Sequence, residues 1–302
     1  MKPLVLFSPW FGPWPTWTDL YLASCAANPE VRWVIPTDQP LPDNRPENVD
    51  FLPMTLGEFA ERVSVATGAR FAPGEAYKLC DIKPMLGHVF ETETAGYRSW
   101  GYADMDVIFG NIRRFYDDDL LDRYAAISTH ANFLSGHLAV FKNTDRTRLA
   151  YRRRRRRWRE AIAAPNYVQF DEMRFSAVFK PGRPLHHLIA IRPSLFVEQY
   201  STVGGHTWID GTKNFPDVWT WKDGTLRTTV SGDREFLYLH FMFWRRRRRS
   251  TPEQPAPWET LSHPLVQVDW RAAETNGFAI SPSGFGPLLP DADLGTATTL
   301  WA

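Results

Sequence analysis

The N-terminal third of the chain alternates short apolar runs with amphipathic stretches, and this order restricts the folds that the chain can adopt. The predicted strands cover residues 4–7, 31–35 and 49–52, and the predicted helices cover residues 19–27 and 55–66. Thr55 and Glu58 form a capping-box signature at the start of the second helix, and Gly68 marks its end. Strands and helices in this order predict an α/β fold with a mixed, mainly parallel sheet flanked by helices.

Composition narrows the class of protein. With 302 residues, 43% of them hydrophobic, the chain can bury a substantial core, and its formal net charge of +1 argues against a dedicated nucleic-acid-binding protein. Cys25 and Cys80 offer neither a disulfide framework nor metal-ligand spacing, which fits a reducing compartment. The first apolar run is too short for a signal peptide or a membrane span. We therefore expect a cytoplasmic protein, with peripheral association at the inner membrane face as an option.

Two aspartates directly follow the aromatic and apolar run at residues 97–103. If this run is extended as far as Asp106, the side chains of Asp104 and Asp106 share a face, because residues two apart in a strand do so. Two carboxylates at this spacing suit a hard divalent cation that keeps positions open for phosphate oxygens. Such a cation would neutralise charge on a diphosphate leaving group. A solvated turn or cap is the alternative interpretation.

Histidines are further candidate ligands. His240 lies near the end of a predicted strand over residues 236–241, and imidazole is an acceptable third ligand where carboxylates hold manganese. His130 and His137 are also candidates, although a single histidine is more often packed or solvated.

Charged residues cluster at two other places. Lys78, Asp81 and Lys83 precede Pro84, which suits the first turn of a helix, and an anionic ligand there would offset the unfavourable lysines. Plain surface charge is the alternative. Asp171 and Glu172 offer a general base if they lie within hydrogen-bond reach of an acceptor hydroxyl. The alternative for this pair is a helix N-terminus, where acidic residues are favoured.

Two further sequence features are open to two interpretations each. The loop at residues 9–17 contains Trp10, Trp14 and Trp17 among prolines, and its rings either stack on a nucleobase or pack against the core. Arginine runs at residues 152–157 and 245–249 indicate either polyanion or membrane-surface binding, or a solvated and partly frayed segment. A single helix is predicted from residue 144 to about residue 163.

Several of these motifs occur together in one known family of enzymes. They are Phe11-Gly12-Pro13-Trp14-Pro15, Thr37-Asp38, Tyr77-Lys78-Leu79-Cys80-Asp81-Ile82-Lys83-Pro84, Trp100-Gly101-Tyr102-Ala103-Asp104-Met105-Asp106, and His240-Phe241 with Trp244. In this combination the chain resembles a GT-A-type glycosyltransferase, in particular a largely uncharacterised bacterial group of sugar transferases. The resemblance covers roughly the first 245 residues.

The resemblance implies a GT-A-like catalytic domain over residues 1–249, followed by an irregular extension over residues 250–302. It implies that Asp104, Asp106 and His240 bind Mn²⁺ or Mg²⁺, which bridges the diphosphate of a nucleotide-sugar donor, with a UDP-sugar favoured. The implied donor-binding residues are Phe11, Gly12, Thr37, Asp38, Lys78, Asp81, Lys83 and Asp104. Asp171 or Glu172 is the candidate base of an inverting enzyme. The acceptor is an unidentified glycan or small molecule.

The sequence therefore predicts a metal-dependent glycosyltransferase. Two alternatives belong to other classes: a non-catalytic protein that binds polyanions through its arginine runs, and a nucleotidyltransferase or sugar-binding module on a similar fold. Release of nucleoside diphosphate rather than pyrophosphate distinguishes sugar transfer from nucleotidyl transfer.

Overall fold

The computed structural model of the chain describes residues 1–180, 190–203, 207–212, 215–242, 244 and 268–288. The strands are β1 (Lys2–Phe7), β2 (Val31–Thr37), β3 (Val49–Pro53), β4 (Tyr97–Ala103), β5 (Val107–Phe109), β6 (Ala126–Ser128), β7 (Leu138–Lys142), β8 (Ser194–Phe196), β9 (Trp219–Lys222), β10 (Thr225–Thr228), β11 (Tyr238–His240), β12 (Phe278–Ser281) and β13 (Gly284–Pro287).

Most of the helical elements are short. The α-helices are α1 (Thr18–Ala26), α2 (Leu56–Thr67), α3 (Leu86–Val89), α4 (Glu91–Thr94), α5 (Ile112–Phe115), α6 (Asp118–Arg123), α7 (Asp145–Arg148), α8 (Arg156–Ala163) and α9 (Trp270–Asn276). Two 3₁₀ helices span Ala76–Met85 and Ala150–Arg154, and a π-helical turn spans Phe170–Arg174. Among the described residues, no helix combines the length and the apolar character needed to cross a membrane.

A seven-stranded sheet forms the centre of the fold, with the order β3-β2-β1-β4-β7-β6-β8. The pairs β3–β2, β2–β1, β1–β4 and β6–β8 are parallel, whereas β4–β7 and β7–β6 are antiparallel. This arrangement confirms the predicted α/β class with its mixed, mainly parallel sheet. The three predicted N-terminal strands and the capping box of α2 are also confirmed.

Strand β1 is buried on both faces, so it has a hydrophobic core on each side. Leu4 and Leu6 belong to one core, and Val5 and Phe7 belong to the other. Because side chains alternate along a strand, this division places one core on each face of the sheet. The central position of β1 explains why its sequence is a continuous apolar run rather than an alternating one.

Gly101 allows the closest approach in the centre of the sheet. It lies on β4, and a β-carbon built on it would meet the carbonyl oxygen of Ala139 at 2.4 Å and the side chain of Leu6 at 2.8 Å. One of these obstacles is the backbone of the neighbouring strand β7, which cannot move aside as a side chain can. Glycine at this position therefore sets the spacing of β1, β4 and β7.

The C-terminal part of the described chain adds a second sheet, with the order β10-β9-β12-β13. Strands β9 and β10 form a hairpin, and Asp223 and Gly224 in its turn have φ angles of 49° and 72°. Strand β12 pairs with β9 and brings Phe278 and Ile280 into the core. The expected irregularity of residues 250–302 is therefore wrong for residues 269–287, because these buried apolar side chains hold regular structure. The domain division at residue 249 stays a prediction.

The first arginine run also departs from the expected structure. A continuous helix was predicted up to residue 163, but the chain forms α7, a 3₁₀ helix and α8. The break occurs at Arg155, which has φ 48° and ψ −118°. A continuous helix would distribute six successive arginines around its whole circumference, including the side that packs on the core. The second run, at residues 245–249, lies outside the described residues.

We expect Gly101→Ala to destabilise the protein by about 1–3 kcal/mol, because the added methyl group overpacks the centre of the sheet. Urea unfolding measures this change. Gly57→Ala is the matched control, since a β-carbon there meets only the Thr55 hydroxyl at 3.7 Å. Alanine also favours the helix over glycine, so the control is expected to be neutral or slightly stabilising. Equal stability of the two variants would contradict the close approach.

Candidate active site

A cavity of about 280 Å³ opens at the carboxyl ends of β1 and β4. Strand β1 continues into Trp10 and Phe11, which line the cavity, and β4 continues into Asp104 and Asp106. Ligands of α/β proteins bind at this edge of a sheet. The lining of the cavity also includes Lys83, Gly136, His137, Tyr167, Asp171, Glu172 and His240.

Asp104, Asp106 and His240 form a compact group, here called the carboxylate–imidazole cluster. One ligand atom of each residue lies within 4.8 Å of the corresponding atoms of the other two. The Nε2 atom of His240 lies 3.5 Å from Oδ1 of Asp106. The side chains of His240 and Asp106 are 5% and 12% exposed, whereas that of Asp104 is 31% exposed. The cluster thus has two enclosed members and one that faces the open part of the cavity.

Strand pairing explains how residues so far apart in the sequence meet. Strand β11 runs antiparallel to β5, and their register places His240 opposite Val107, directly after Asp106. Phe241 also donates its backbone N–H to the carbonyl oxygen of Asp106 at 3.2 Å. The short β5–β11 ladder therefore holds the imidazole beside the second aspartate.

The donor set of the cluster fits a divalent cation. Two carboxylates and one imidazole suit manganese, magnesium or zinc chemistry. Both ring nitrogens of His240 are buried and lack a hydrogen-bond partner among the described residues. A buried imidazole normally has a partner, so an orphaned one is the feature expected of a metal ligand.

Lys83 connects the cluster to the opposite wall of the cavity. Its Nζ atom lies 2.5 Å from Oδ1 of Asp104 and donates to the carbonyl oxygen of Gly136 at 2.8 Å. Burial alone would lower the pKa of Lys83, but the carboxylate of Asp104 raises it well above the ordinary value. Burial raises the pKa of Asp104, an effect that Lys83 opposes. Lys83 therefore stays charged and lines the cavity, and its contact with a donor stays a prediction.

Asp171 and Glu172 form a second acidic group on the wall next to Gly136. A β-carbon at Gly136 would meet Oε1 of Glu172 at 2.8 Å and Oδ2 of Asp171 at 3.1 Å, so only glycine leaves room for both carboxylates. Tyr167 donates its hydroxyl to Oδ1 of Asp171 at 3.0 Å. Burial raises the pKa of Asp171 to about 7, and the charge of Glu172 adds to the effect while Lys83 opposes it. The pKa of Glu172 is also raised, chiefly by burial.

Lys78 and Asp81 do not face the cavity, which corrects their expected contact with a ligand. Both side chains are fully buried, and Nζ of Lys78 lies 2.7 Å from Oδ2 of Asp81. Lys78 also donates to the carbonyl oxygens of Ala161 and Asn166 at 2.6 Å and 2.9 Å. Asp81 accepts the backbone N–H groups of Val168 and of Phe170, the first residue of the π-helical turn. The pair therefore fixes the backbone that presents Asp171.

Thr37 at the end of β2 and Asp38 directly after it also lie outside the cavity lining. Asp38 is exposed and accepts the backbone N–H of Gly12 at 3.0 Å, while Thr37 is fully buried and pairs with Trp10 through a backbone bridge. Gly12 has a φ of 99°, a conformation that favours glycine. Thr37, Asp38 and Gly12 thus shape the loop that carries Trp10 and Phe11. Direct contact of these three residues with a ligand stays a prediction.

His137, a candidate ligand from the sequence, lines the cavity, and so does Tyr167, which the sequence did not single out. His137 precedes β7, and its ring stacks on His240 with centroids 4.1 Å apart. Its Nε2 atom lies 2.7 Å from the hydroxyl of Tyr238. The small residues Ser135 and Gly136 directly precede His137 in the sequence, which is a weak signal for this position. No sequence pattern indicated Tyr167, because its contact with Asp171 depends on how the chain folds around that residue. His130 lies elsewhere and stacks on Phe133.

Comparison with protein families identifies the group to which the chain belongs. It is a member of a family of unknown function (DUF6625), whose model matches residues 6–264. No curated protein matches the chain.

Solved structures with partial similarity include the glycosyltransferase GlyE from Streptococcus pneumoniae TIGR4, with 11% identity and a TM-score of 0.37. The match covers 66% of this chain and 46% of GlyE, so the chain spans less than half of that protein. A galactosyltransferase, LgtC, in complex with donor and acceptor sugar analogues, has 11% identity and a TM-score of 0.35, over 65% of this chain and 88% of LgtC. TM-scores at this level assign neither a fold family nor an activity.

Asp171 is expected to make the stability of the protein depend on pH. The unfolded chain releases its proton near the ordinary pKa of 3.8, whereas the folded protein keeps it up to about pH 7. The stability that the Asp171 carboxyl group contributes is therefore fully present below its pKa in the unfolded chain. This contribution is lost as the pH rises through its pKa in the folded protein. Asp171→Asn cannot titrate, so it should reduce the fall in unfolding free energy across this window, by at most about 4 kcal/mol.

Urea unfolding in EDTA between about pH 4 and pH 7 measures this dependence. The asparagine can still accept the Tyr167 hydroxyl, so the fold is expected to be retained. Asp233→Asn, at an exposed position, serves as the control. An unchanged pH dependence in Asp171→Asn would show that the carboxyl group titrates normally.

Proposed function

We propose that the protein transfers a sugar from a nucleoside diphosphate donor to an acceptor hydroxyl, with a divalent cation bound by Asp104, Asp106 and His240. The observation that carries the proposal is the carboxylate–imidazole cluster, whose ligand atoms lie within 4.8 Å of one another in a cavity that also contains Asp171 and Glu172. A metal site and a separate acidic pair are the two parts that such a transfer needs.

The carboxylate–imidazole cluster lies on the side of the cavity that would receive the donor diphosphate. Asp104, Asp106 and His240 would hold Mn²⁺ or Mg²⁺, and the cation would neutralise the negative charge that develops on the departing diphosphate. Asp104 is the most exposed of the three, so its side of the cluster is the one open to phosphate oxygens. Lys83 adds a positive charge next to this position.

The loop after β1 is the proposed nucleoside contact. Trp10 and Phe11 line the cavity, and Phe11 is held by an edge-on contact with Phe59 at 5.3 Å between ring centroids. The indole nitrogen of Trp10 donates to the backbone of Gly12 and Pro13, which fixes the orientation of its ring. A fixed aromatic ring is a suitable surface for a flat nucleobase. Uridine is the base favoured by the sequence resemblance.

Asp171 is the proposed general base for an inverting transfer. A base works best when its pKa lies near the working pH, and burial raises the pKa of Asp171 to about 7. The Tyr167 hydroxyl occupies one carboxylate oxygen, so the other can accept the proton of the acceptor. Glu172 is the adjacent candidate, and it accepts a hydrogen bond from the backbone of Gly136. The proposed acceptor is a glycan or a small molecule with a free hydroxyl.

Thermal shifts with UDP, GDP, dTDP and CDP, each with Mn²⁺ and with EDTA, test the donor site. A ligand that binds the native state raises its stability by mass action, so one nucleotide is expected to raise the Tm only when metal is present. Asp106→Asn should weaken this response by about tenfold or more in nucleotide concentration, because it removes a metal ligand. Asp233→Asn is the control for the loss of one carboxylate.

Product analysis then separates the candidate reactions. Incubation with the matching nucleotide sugar should release nucleoside diphosphate in wild-type protein and not in Asp106→Asn. Pyrophosphate release from a sugar phosphate and a nucleoside triphosphate would instead identify a nucleotidyltransferase. A metal-independent response, or full activity in Asp106→Asn, would contradict the proposed metal site.

A further inference from the structure

Seven arginines cover the outer side of the segment before α8 and its first turn. This surface, here called the arginine face, consists of Arg152, Arg153, Arg154, Arg155, Arg156, Arg157 and Arg159. Arg154 is half-buried, and the other six are exposed. Glu160 is the acidic residue in this stretch. The whole chain carries a formal charge of only +1, so the arginine face is a strong local concentration of positive charge.

Buried aromatic side chains anchor the segment from the inside. Tyr151 and Trp158 are 0% and 2% exposed and meet edge to face, with ring centroids 5.2 Å apart. The Tyr151 hydroxyl lies 3.0 Å from Nδ1 of His88. The arginines are therefore presented outwards from a packed base, which contradicts the expectation of a frayed segment.

Three central members of the arginine face, Arg155, Arg156 and Arg157, have no neighbouring carboxylate that compensates their charge among the described residues. The nearby Glu91 and Asp145 both pair with Arg148, which lies before the face. Within the described parts of the chain, no ion pair joins Arg155, Arg156 or Arg157 to an acidic side chain. Like charges on neighbouring helical positions repel one another, so this arrangement lowers the stability of the free protein.

Two local features also lower the stability of the free protein. Arg155 has a φ of 48°, in a region that glycine adopts far more readily than arginine. The Nε atom of Arg154 is buried, with no hydrogen-bond partner among the described residues. Strain and unsatisfied polar groups that persist in a folded protein point to a function that uses them.

We propose that the arginine face binds the surface of a bilayer that contains anionic phospholipids. Phosphate headgroups supply the negative charge that Arg155, Arg156 and Arg157 lack, and each arginine near such a surface contributes to adsorption. No large apolar side chain is exposed between residues 151 and 159, so the contact is electrostatic, without insertion into the acyl chains. Single-stranded nucleic acid is disfavoured, because Tyr151 and Trp158 face inwards and leave no exposed ring on which bases could stack.

The face belongs to the segment that also supports one wall of the cavity. Ala161 of α8 and Asn166 accept hydrogen bonds from Lys78, and the next residue along the chain, Tyr167, lines the cavity. Binding to a bilayer does not depend on the function proposed above, and it is measured without any nucleotide or sugar.

Co-sedimentation with vesicles tests the proposal. One set contains phosphatidylglycerol mixed with phosphatidylcholine, and the other contains phosphatidylcholine alone. The wild-type chain of 302 residues is expected to bind the anionic vesicles at least about tenfold more tightly, and added salt should weaken this binding. The test variant is Arg155→Gly/Arg156→Gln/Arg157→Gln, which removes three charges and places glycine where φ is positive, so its Tm should not fall.

The matched control is Arg45→Gln/Arg70→Gln/Arg123→Gln, which removes three charges from exposed positions elsewhere. The test variant should lose about tenfold or more in affinity for the anionic vesicles, while the control should lose much less. Equal losses in the two variants would mean that net charge alone drives binding. Equal binding of wild-type protein to both vesicle types would overturn the proposal, as would binding to heparin or DNA without binding to anionic vesicles.

Discussion

The arrangement of the cavity depends on the contacts that the ammonium group of Lys83 makes. Four carboxylates line the cavity, and Lys83 is the one lysine or arginine among the described residues of its lining. It bridges Asp104 on one wall and the backbone of Gly136 on the other, with contacts of 2.5 Å and 2.8 Å. Acidic groups at such short distances would repel one another in a medium of low dielectric constant. The buried cation keeps them together without neutralising all of them, which leaves room for a metal ion.

Much of this arrangement could be predicted from the sequence, because it depends on local patterns. The apolar runs predicted the N-terminal strands, and a pair of aspartates after β4 indicated a metal site at the carboxyl edge of the sheet. His240 was recognised as a third candidate because it ends an aromatic strand. The structure adds the reason for their proximity, which is the pairing of β11 with β5. Register between strands distant in sequence is set by packing and is not visible in either strand alone.

The remaining features depend on tertiary contacts that a sequence pattern does not contain. Lys78 and Asp81 have the composition of a phosphate site, yet each finds its partners in the segment around residues 161–170 and is fully buried. Burial of this pair is costly unless all of its hydrogen bonds are made, and here the backbone supplies them. His137 was a candidate ligand from the sequence, but nothing in its neighbourhood along the chain indicated that its ring would stack on His240.

The central claim is that Asp104, Asp106 and His240 hold a divalent cation. The most direct test is a crystal structure of the protein grown with Mn²⁺ and UDP, measured with anomalous scattering from manganese. The account predicts an anomalous peak in contact with both carboxylates and the His240 ring, with diphosphate oxygens at the side of Asp104. A peak at another site, or no peak in the cavity at saturating Mn²⁺ while UDP is bound, would contradict it.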